Sequence, residues 1–157
     1  MTEVQAGSKP TGPFVAAAVF AEKVLREADG VKSLIRIVDR VTVSAVGPNP
    51  PETLEPFEWE SVIFIQLKPG QARGGTSYRI LMESPNGLTK EMASGSFNFV
   101  GGPNQGADLI APVKIRFEYA GIYWFDVEID GRILTRMPLE VLYERRVMRP
   151  PAHETQA

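Results

Sequence analysis

The sequence predicts an all-β fold, an antiparallel sandwich or barrel, on three observations. Glycine and proline interrupt the chain every eight to fifteen residues between residues 14 and 147. The segments between these interruptions are mostly short and rich in β-branched and aromatic side chains. Several of them alternate apolar with polar residues, which is the period-2 pattern of a strand with one buried face. Helices alternating with strands would give a different spacing, so an α/β fold is disfavoured.

The domain organisation follows from length and composition. The chain has 157 residues, no internal repeat and no change of composition, so we predict a single domain over residues 14–147. Such a length buries a core without disulfides or metals. Residues 1–13 and 148–157 lack periodicity and are predicted to be disordered tails. The apolar run Phe14–Ala21 is too short for a membrane helix, and no basic cluster precedes it, so we expect neither a signal peptide nor a membrane span.

The C-terminal third contains the clearest strands. Asp108–Glu118 alternates apolar with polar residues, and Gly121–Ile129 follows it with a second alternation. The apolar positions of the second strand are Tyr123, Phe125, Val127 and Ile129, and its polar face carries Trp124, Asp126 and Glu128. A third strand is predicted over Arg132–Tyr143, and Pro138 within it indicates an edge strand or a bulge.

The loop that joins these last two strands is predicted from parity. A two-residue Asp130-Gly131 turn would place Arg132 and Arg136 on the buried face. A three-residue loop, Ile129-Asp130-Gly131, with Gly131 in the left-handed conformation, instead keeps Ile133, Met137 and Leu139 on the face of Phe125. It also pairs Glu128 with Arg132 on the polar face. We therefore predict the three-residue loop.

Two further strands are predicted around a second turn. Ser84–Leu88 contains Pro85, which fixes φ, and Gly87, which supplies a positive φ. This turn places Leu88 and Met92 on the face of Tyr78, Ile80 and Met82. Val62–Ile65 is apolar on both faces and indicates a central strand, and Phe97 with Phe99 indicates another short one.

The first third of the chain leaves alternatives open. Val15–Leu25 is compatible with a helix or a strand, and the Asp29-Gly30 turn favours a strand. A second strand, Val31–Val43, then places Asp39 among apolar positions, so either a bulge near Val38 turns it outward or it is buried with a partner. The proline-rich run 47–56 is predicted to be an extended surface segment, either a crossover between sheets or a loop that faces a partner.

Residues 118–123, Glu-Tyr-Ala-Gly-Ile-Tyr, resemble the tyrosine corner of immunoglobulin-like sandwiches. This resemblance implies such a sandwich of eight or nine strands, with Gly121 opening a strand and the Tyr123 hydroxyl bonded back to the chain. Phe125 stands where antibody domains have a cysteine, so the resemblance is architectural. Phe20–Asp39 is also similar to a group of small bacterial all-β proteins of unassigned function, and that resemblance implies no catalytic residues.

The composition excludes several kinds of active site. There is no cysteine, which excludes thiolate catalysis, disulfides and Cys-type metal sites, and which fits a cytoplasmic protein. The one histidine, His153, lies in the predicted C-terminal tail. Asp126, Glu128 and Asp130 form an acidic stripe, but Arg132 and Arg136 are predicted to neutralise it. We therefore expect no catalytic site, no cofactor and no metal.

The remaining candidates are surface contacts. A net charge of −2 gives no global attraction to nucleic acid, which disfavours that partner. Trp124 and Trp59 are candidate anchors for a protein partner, although a loop or the Val15–Leu25 segment could cover Trp124. Arg145, Arg146 and Arg149 form a local basic cluster.

The expected function is a non-enzymatic interaction module that binds a protein partner or itself through edge strands and loops. The alternatives are a structural subunit of a larger bacterial or phage assembly, and a hydrolase with an unrecognised carboxylate site.

Overall fold

A computed structural model describes residues 11–152, and these form nine strands and no helix. The strands are β1 (Phe14–Arg26), β2 (Lys32–Val38), β3 (Arg40–Gly47), β4 (Phe57–Lys68), β5 (Gly74–Glu83), β6 (Thr89–Phe99), β7 (Ala107–Phe117), β8 (Gly121–Ile129) and β9 (Arg132–Val147). Val15–Leu25 therefore lies in a strand, as predicted. Nothing within 11–152 has the length and hydropathy of a membrane-spanning helix. His153 and most of the predicted N-terminal tail lie outside the described residues.

The strands form two sheets, which confirms the predicted all-β, immunoglobulin-like sandwich. One sheet has the order β2-β1-β4-β7, and the other has the order β3-β9-β8-β5-β6. All neighbours are antiparallel except β3 and β9, which run parallel from the Arg40–Glu140 pair to the Gly47–Val147 pair. The predicted central strand Val62–Ile65 lies in β4, between β1 and β7.

The core lies between the sheets and contains an aromatic cluster where antibody domains have their disulfide. The ring centroids of Phe20 and Phe125 are 4.7 Å apart, and those of Phe117 and Tyr123 are 4.8 Å apart, both in edge-to-face geometry. Phe117 and Phe125 are fully buried. Edge-to-face pairs add to the free energy gained by burial, so packing alone connects the sheets here.

The chain changes sheets at Asp39, so the single strand predicted over Val31–Val43 is wrong. β2 ends at Val38 in one sheet and β3 begins at Arg40 in the other. Asp39 is exposed between them, while Val41 and Val43 pack against the core. The sheet change keeps the carboxylate in water, which a continuous strand of that parity would not do. The proline-rich run then crosses from β3 back to β4 in the first sheet.

The β1–β2 hairpin bends over the outer face of the first sheet. β1 leaves β4 at the Ala21–Val62 pair, yet Lys32, near the hairpin tip, forms an ion pair with Asp108 of β7. Asp108 lies opposite Gln66, and two strands separate β2 from β7. The hairpin must therefore fold back across the sheet to make this contact. Phe64 of β4 lies outside the core cluster and is nevertheless only 5% exposed.

The β8–β9 connection is a two-residue turn, so the predicted three-residue loop is wrong. Ile129 pairs with Arg132, and the two turn residues, Asp130 and Gly131, have φ of 47° and 78°. These positive angles are those of a type I′ turn, which suits the twist of paired strands.

A bulge resolves the parity conflict that this turn creates. Val127 pairs with Thr135 and Glu128 with Ile133, which leaves Leu134 as an extra residue. Met137 and Leu139 consequently face the core, as predicted. Ile133 is instead 55% exposed, and Glu128 bonds to Arg79 rather than to Arg132, so those two predictions are wrong.

The turn at Ser84–Leu88 forms as predicted, but one assignment beyond it fails. The Ser84 amide donates to the Leu88 carbonyl at 2.8 Å, and Gly87 has φ of 83°. Leu88 is 67% exposed rather than facing the core. A second bulge lies in β6. Ile80 of β5 pairs with Ala93 and the next residue, Leu81, pairs with Glu91, which leaves Met92 as the extra residue. Past it, β6 continues to Phe99 as one strand rather than two.

Candidate functional site

The tyrosine corner is present and fixes the loop that enters β8. The Tyr123 hydroxyl donates to the Tyr119 carbonyl at 2.9 Å and accepts from the Tyr119 amide at 3.2 Å. Burial raises the pKa of the Tyr123 hydroxyl above its ordinary value of 10.0. Gly121, at φ of 133°, approaches Pro85 so closely that a Cβ would lie 3.0 Å from the ring. The corner thereby holds the Tyr119 ring at the surface.

The acidic stripe on β8 is neutralised by Arg136, as predicted, and by Arg79 in place of the predicted Arg132. Arg136 bonds to Asp126 at 2.6 Å, and Arg79 of β5 bonds to Glu128 at 2.8 Å. These hydrogen bonds raise the pKa of both guanidinium groups. Asp130 accepts from the Ser77 amide at 2.8 Å. Each carboxylate of the stripe therefore has its own partner on a neighbouring strand.

The two tryptophans lie in different environments. Trp124 is half-buried, and the Arg136 guanidinium lies over its ring, 4.9 Å from the ring centroid. Trp59 packs against Phe20 at 6.1 Å and Phe117 at 5.7 Å between ring centroids. Trp59 consequently extends the aromatic cluster of the core towards the surface.

The basic cluster near the end of β9 is partly engaged. Arg145 donates to the Pro50 carbonyl at 3.0 Å, and the Tyr143 hydroxyl donates to the Pro51 carbonyl at 2.6 Å. Arg146 lies 3.8 Å from Glu144, and Arg149 is exposed beyond the strand. Arg145 therefore anchors the proline-rich crossover to β9.

Three of the four sheet edges carry features that discourage pairing with another strand. β7 has Pro112 in its middle, followed by Lys114. β2 contains Arg36, an exposed charged residue with φ of 53°, in the left-handed region. β6 contains the bulge at Met92 and begins with charged residues. Prolines, charges and bulges are the usual means of blocking edge-to-edge association.

β3, the fourth edge, has none of these features between Val41 and Val46. This stretch reads Val-Thr-Val-Ser-Ala-Val and contains no charge, proline or glycine. On the β9 side, the Asp39 carbonyl accepts from Glu140 and the Gly47 carbonyl from Met148. In a parallel ladder, alternate residues bond to the same neighbour. Thr42, Ser44 and Val46 therefore direct their amides and carbonyls to the open edge.

The β3 edge was not predicted as a site from the sequence. The run of small and β-branched residues was visible, but its position at an edge depends on the sheet change at Asp39 and on parallel pairing with β9. Both are long-range features that alternation along one strand does not encode.

Comparison with known proteins gives a family and distant structural likenesses. The sequence model of a family of unknown function, DUF6941, matches residues 16–142. No curated protein matches the chain.

Two solved structures are among those similar to the chain. The CARDB domain of the PF1109 protein from Pyrococcus furiosus, solved in complex with di-metal ions, is 13% identical with a TM-score of 0.38, over 90% of this chain and 100% of that one. The alkylpurine DNA glycosylase AlkC of Pseudomonas fluorescens, bound to DNA containing an abasic site analog, is 12% identical with a TM-score of 0.34, over 63% of this chain and 27% of that one.

Proposed function

Because the chain belongs to the family of unknown function DUF6941, we propose its role from its own surface. It is a non-enzymatic interaction module that binds a protein partner by addition of a strand to the β3 edge. The observation that carries this proposal is the run from Val41 to Val46, an edge without charge, proline or bulge. A cytoplasmic, bacterial setting belongs to the same proposal.

Strand addition uses groups that β3 already presents. An extended segment of the partner would accept from and donate to the backbone of Thr42, Ser44 and Val46, whose amides and carbonyls are directed outward. Main-chain bonds of this kind supply affinity, while alternate side chains supply specificity. Thr42, Ser44 and Val46 are also the exposed positions of the strand, so they would contact the partner's side chains.

The non-enzymatic part of the proposal is supported by the state of the acidic side chains on β8. Asp126 and Glu128 are each held by an arginine within 2.8 Å. A carboxylate pair for hydrolysis needs one group available as acid and another as base or nucleophile. The arginine partners favour a structural role for both carboxylates instead.

The test is the variant Ser44→Pro. Proline removes an outward amide without removing a bond to β9, because only the neighbouring residues bond to that strand. Partners are isolated from the native host with the wild-type domain, and binding of the purified partner is then measured for wild type and variant. We expect the variant to lose binding, and the amides of residues 42, 44 and 46 to become protected from hydrogen exchange in the wild-type complex.

Two controls keep this test interpretable. Ser44→Lys retains the backbone donor but charges the edge, and should weaken binding even if proline perturbs folding. Ser96→Lys makes the same change on an exposed serine of β6, the opposite edge of the sheet, and should leave binding intact. Equal binding by Ser44→Lys and wild type, or protection confined to another strand, would contradict the proposal.

A second candidate, a self-assembling structural subunit, is favoured by the self-complementarity of the same edge. Antiparallel pairing of two β3 strands centred on Ser44 sets Thr42 opposite Val46 and brings no like charges face to face. Such a contact is closed by a two-fold axis and yields a dimer. Light scattering after size-exclusion chromatography distinguishes the two, since a monomer at high concentration contradicts self-assembly but not partner binding.

A further inference from the structure

A groove lies between the proline-rich crossover and the tyrosine corner, at a surface not used by the proposed strand addition. Its volume is about 480 Å³, and its lining includes Tyr119, Tyr143, Leu54, Glu52 and Glu118. Leu54 is 7% exposed and belongs to the core cluster, so it forms the apolar floor. Two tyrosines and two carboxylates thus surround a single apolar depression.

The tyrosine walls are held in position by hydrogen bonds. The hydroxyl of Tyr143 is used in donating to the Pro51 carbonyl at 2.6 Å, so its ring rather than its hydroxyl is available to a ligand. Both backbone groups of Tyr119 bond to Tyr123, and the Tyr119 side chain is 45% exposed. Arg145 holds the crossover through Pro50. The groove is therefore formed before any ligand binds, which lowers the entropic cost of binding.

The charge of the groove selects a cation. Glu52 and Glu118 are the charged residues of its lining, and both are exposed. The nearest cation to Glu118 is Arg116 at 3.6 Å, an exposed residue whose ion pair is weak and easily replaced. A phosphate or a carboxylate would be repelled, so the groove does not suit a nucleic acid backbone.

We propose that this groove binds an arginine side chain carried by an extended segment of a partner protein. A guanidinium stacks on tyrosine rings through its planar face and donates two parallel hydrogen bonds to a carboxylate through its edge. The methylene stem packs on an apolar floor such as Leu54. Lysine has a compact, strongly hydrated charge, so it stacks on the rings and bonds to the carboxylates less well than arginine does.

The experiment titrates the complete chain with a peptide in which one arginine is flanked by prolines and glycines, and follows binding by calorimetry and by backbone amide shifts. We expect shifts at residues 52–54 and 118–120. Replacing the arginine by citrulline, which keeps the shape and removes the charge, should weaken binding by about tenfold or more. Glu118→Gln and Tyr119→Ala should weaken it similarly, and raising the ionic strength should lower the affinity.

Matched controls separate binding from folding. Tyr119→Phe keeps the ring and should bind normally, and Glu91→Gln removes a carboxylate on β6 without effect on binding. Equal affinity for the citrulline peptide, or for a lysine peptide, overturns the proposal. Concentration-dependent self-association that is lost in Glu118→Gln also overturns it, because a second copy would then be the occupant. None of these readouts depends on the β3 edge, so Ser44→Pro should bind the arginine peptide as wild type does.

Discussion

Tyr123 stabilises the fold through its hydroxyl as well as its ring. Tyr123→Phe retains the buried ring but leaves the Tyr119 amide and carbonyl without their partner. We expect a loss of about 1–3 kcal/mol in the free energy of unfolding, measured by urea denaturation. Tyr119→Phe alters an exposed hydroxyl and should change stability little. A Tyr123→Phe variant as stable as wild type would show that water replaces the corner's bonds at no cost.

The same hydroxyl predicts a dependence of stability on alkaline pH. Burial raises the pKa of Tyr123 in the folded state above its ordinary value of 10.0. The unfolded chain therefore releases this proton first, so stability is fully present below pH 10.0 and falls as the pH rises through the folded-state pKa. Denaturation midpoints measured between neutral and strongly alkaline pH should fall less in Tyr123→Phe than in wild type.

Residues whose partners lie close in the chain were predictable. The tyrosine corner joins positions four residues apart, and its Gly-x-Tyr spacing is visible in the sequence. Trp59 was not predictable in the same way, because its contacts are with Phe20 and Phe117 on other strands. Alternation along β4 assigns it a face but not the neighbours that cover it.

The β8–β9 hairpin depends on a turn residue with positive φ. Asp130 has φ of 47°, a conformation that aspartate and asparagine adopt more readily than alanine, and its carboxylate bonds to Ser77. Asp130→Ala should cost about 1–3 kcal/mol of unfolding free energy in urea denaturation, whereas Asp130→Asn should cost less. An alanine variant that unfolds at the wild-type midpoint would indicate that this turn carries no strain.

This hairpin shows what parity can and cannot predict. The requirement that Met137 and Leu139 face the core with Phe125 was correct. The predicted three-residue loop was wrong. A bulge at Leu134 supplies the extra residue that brings Met137 and Leu139 onto the core face. Both devices insert one residue, so they give the same pattern further along the strand.

The β1–β2 hairpin is fastened at its tip by the Lys32–Asp108 ion pair, whose side chains are 21% and 17% exposed. Removing one member of a largely buried pair leaves the other unpaired in low dielectric. In Asp108→Asn, amide hydrogen exchange should accelerate in residues 22–36 while the strands of the core stay protected. Glu58→Gln breaks an exposed pair with Lys114 and should have no such effect. If residues 22–36 exchange at the same rate in both variants, the Lys32–Asp108 ion pair is not what holds the hairpin in place.

Across the whole molecule, the sequence predicted the fold class and most strands but not their arrangement. Alternation and turn residues are local, whereas the order β3-β9-β8-β5-β6 depends on which faces compete for the core. The sheet change at Asp39 shows this clearly, because it turned one predicted strand into two edges on different sheets. The β3 edge therefore emerged only from the assembled sandwich.

The open edge of β3 has a signature in the isolated protein. Amides of Thr42, Ser44 and Val46 are directed away from β9, so they should exchange with solvent deuterium much faster than those of Val41, Val43 and Ala45. Residue-resolved exchange by NMR checks this alternation. If all six amides are equally protected in the monomer, another part of the chain covers the edge.

The parallel β3–β9 pair also determines how the domain responds to tension. A pull on the two ends of the chain draws β3 backwards and β9 forwards along their common axis, so that the bonds between Arg40 and Gly47 share the load in shear instead of opening one after another. The β1–β2 hairpin precedes this pair in the chain and connects to it through the single residue Asp39. The pairs that join β1 to β4, from Phe14–Lys68 to Ala21–Val62, must therefore part before the full load reaches the β3–β9 pair.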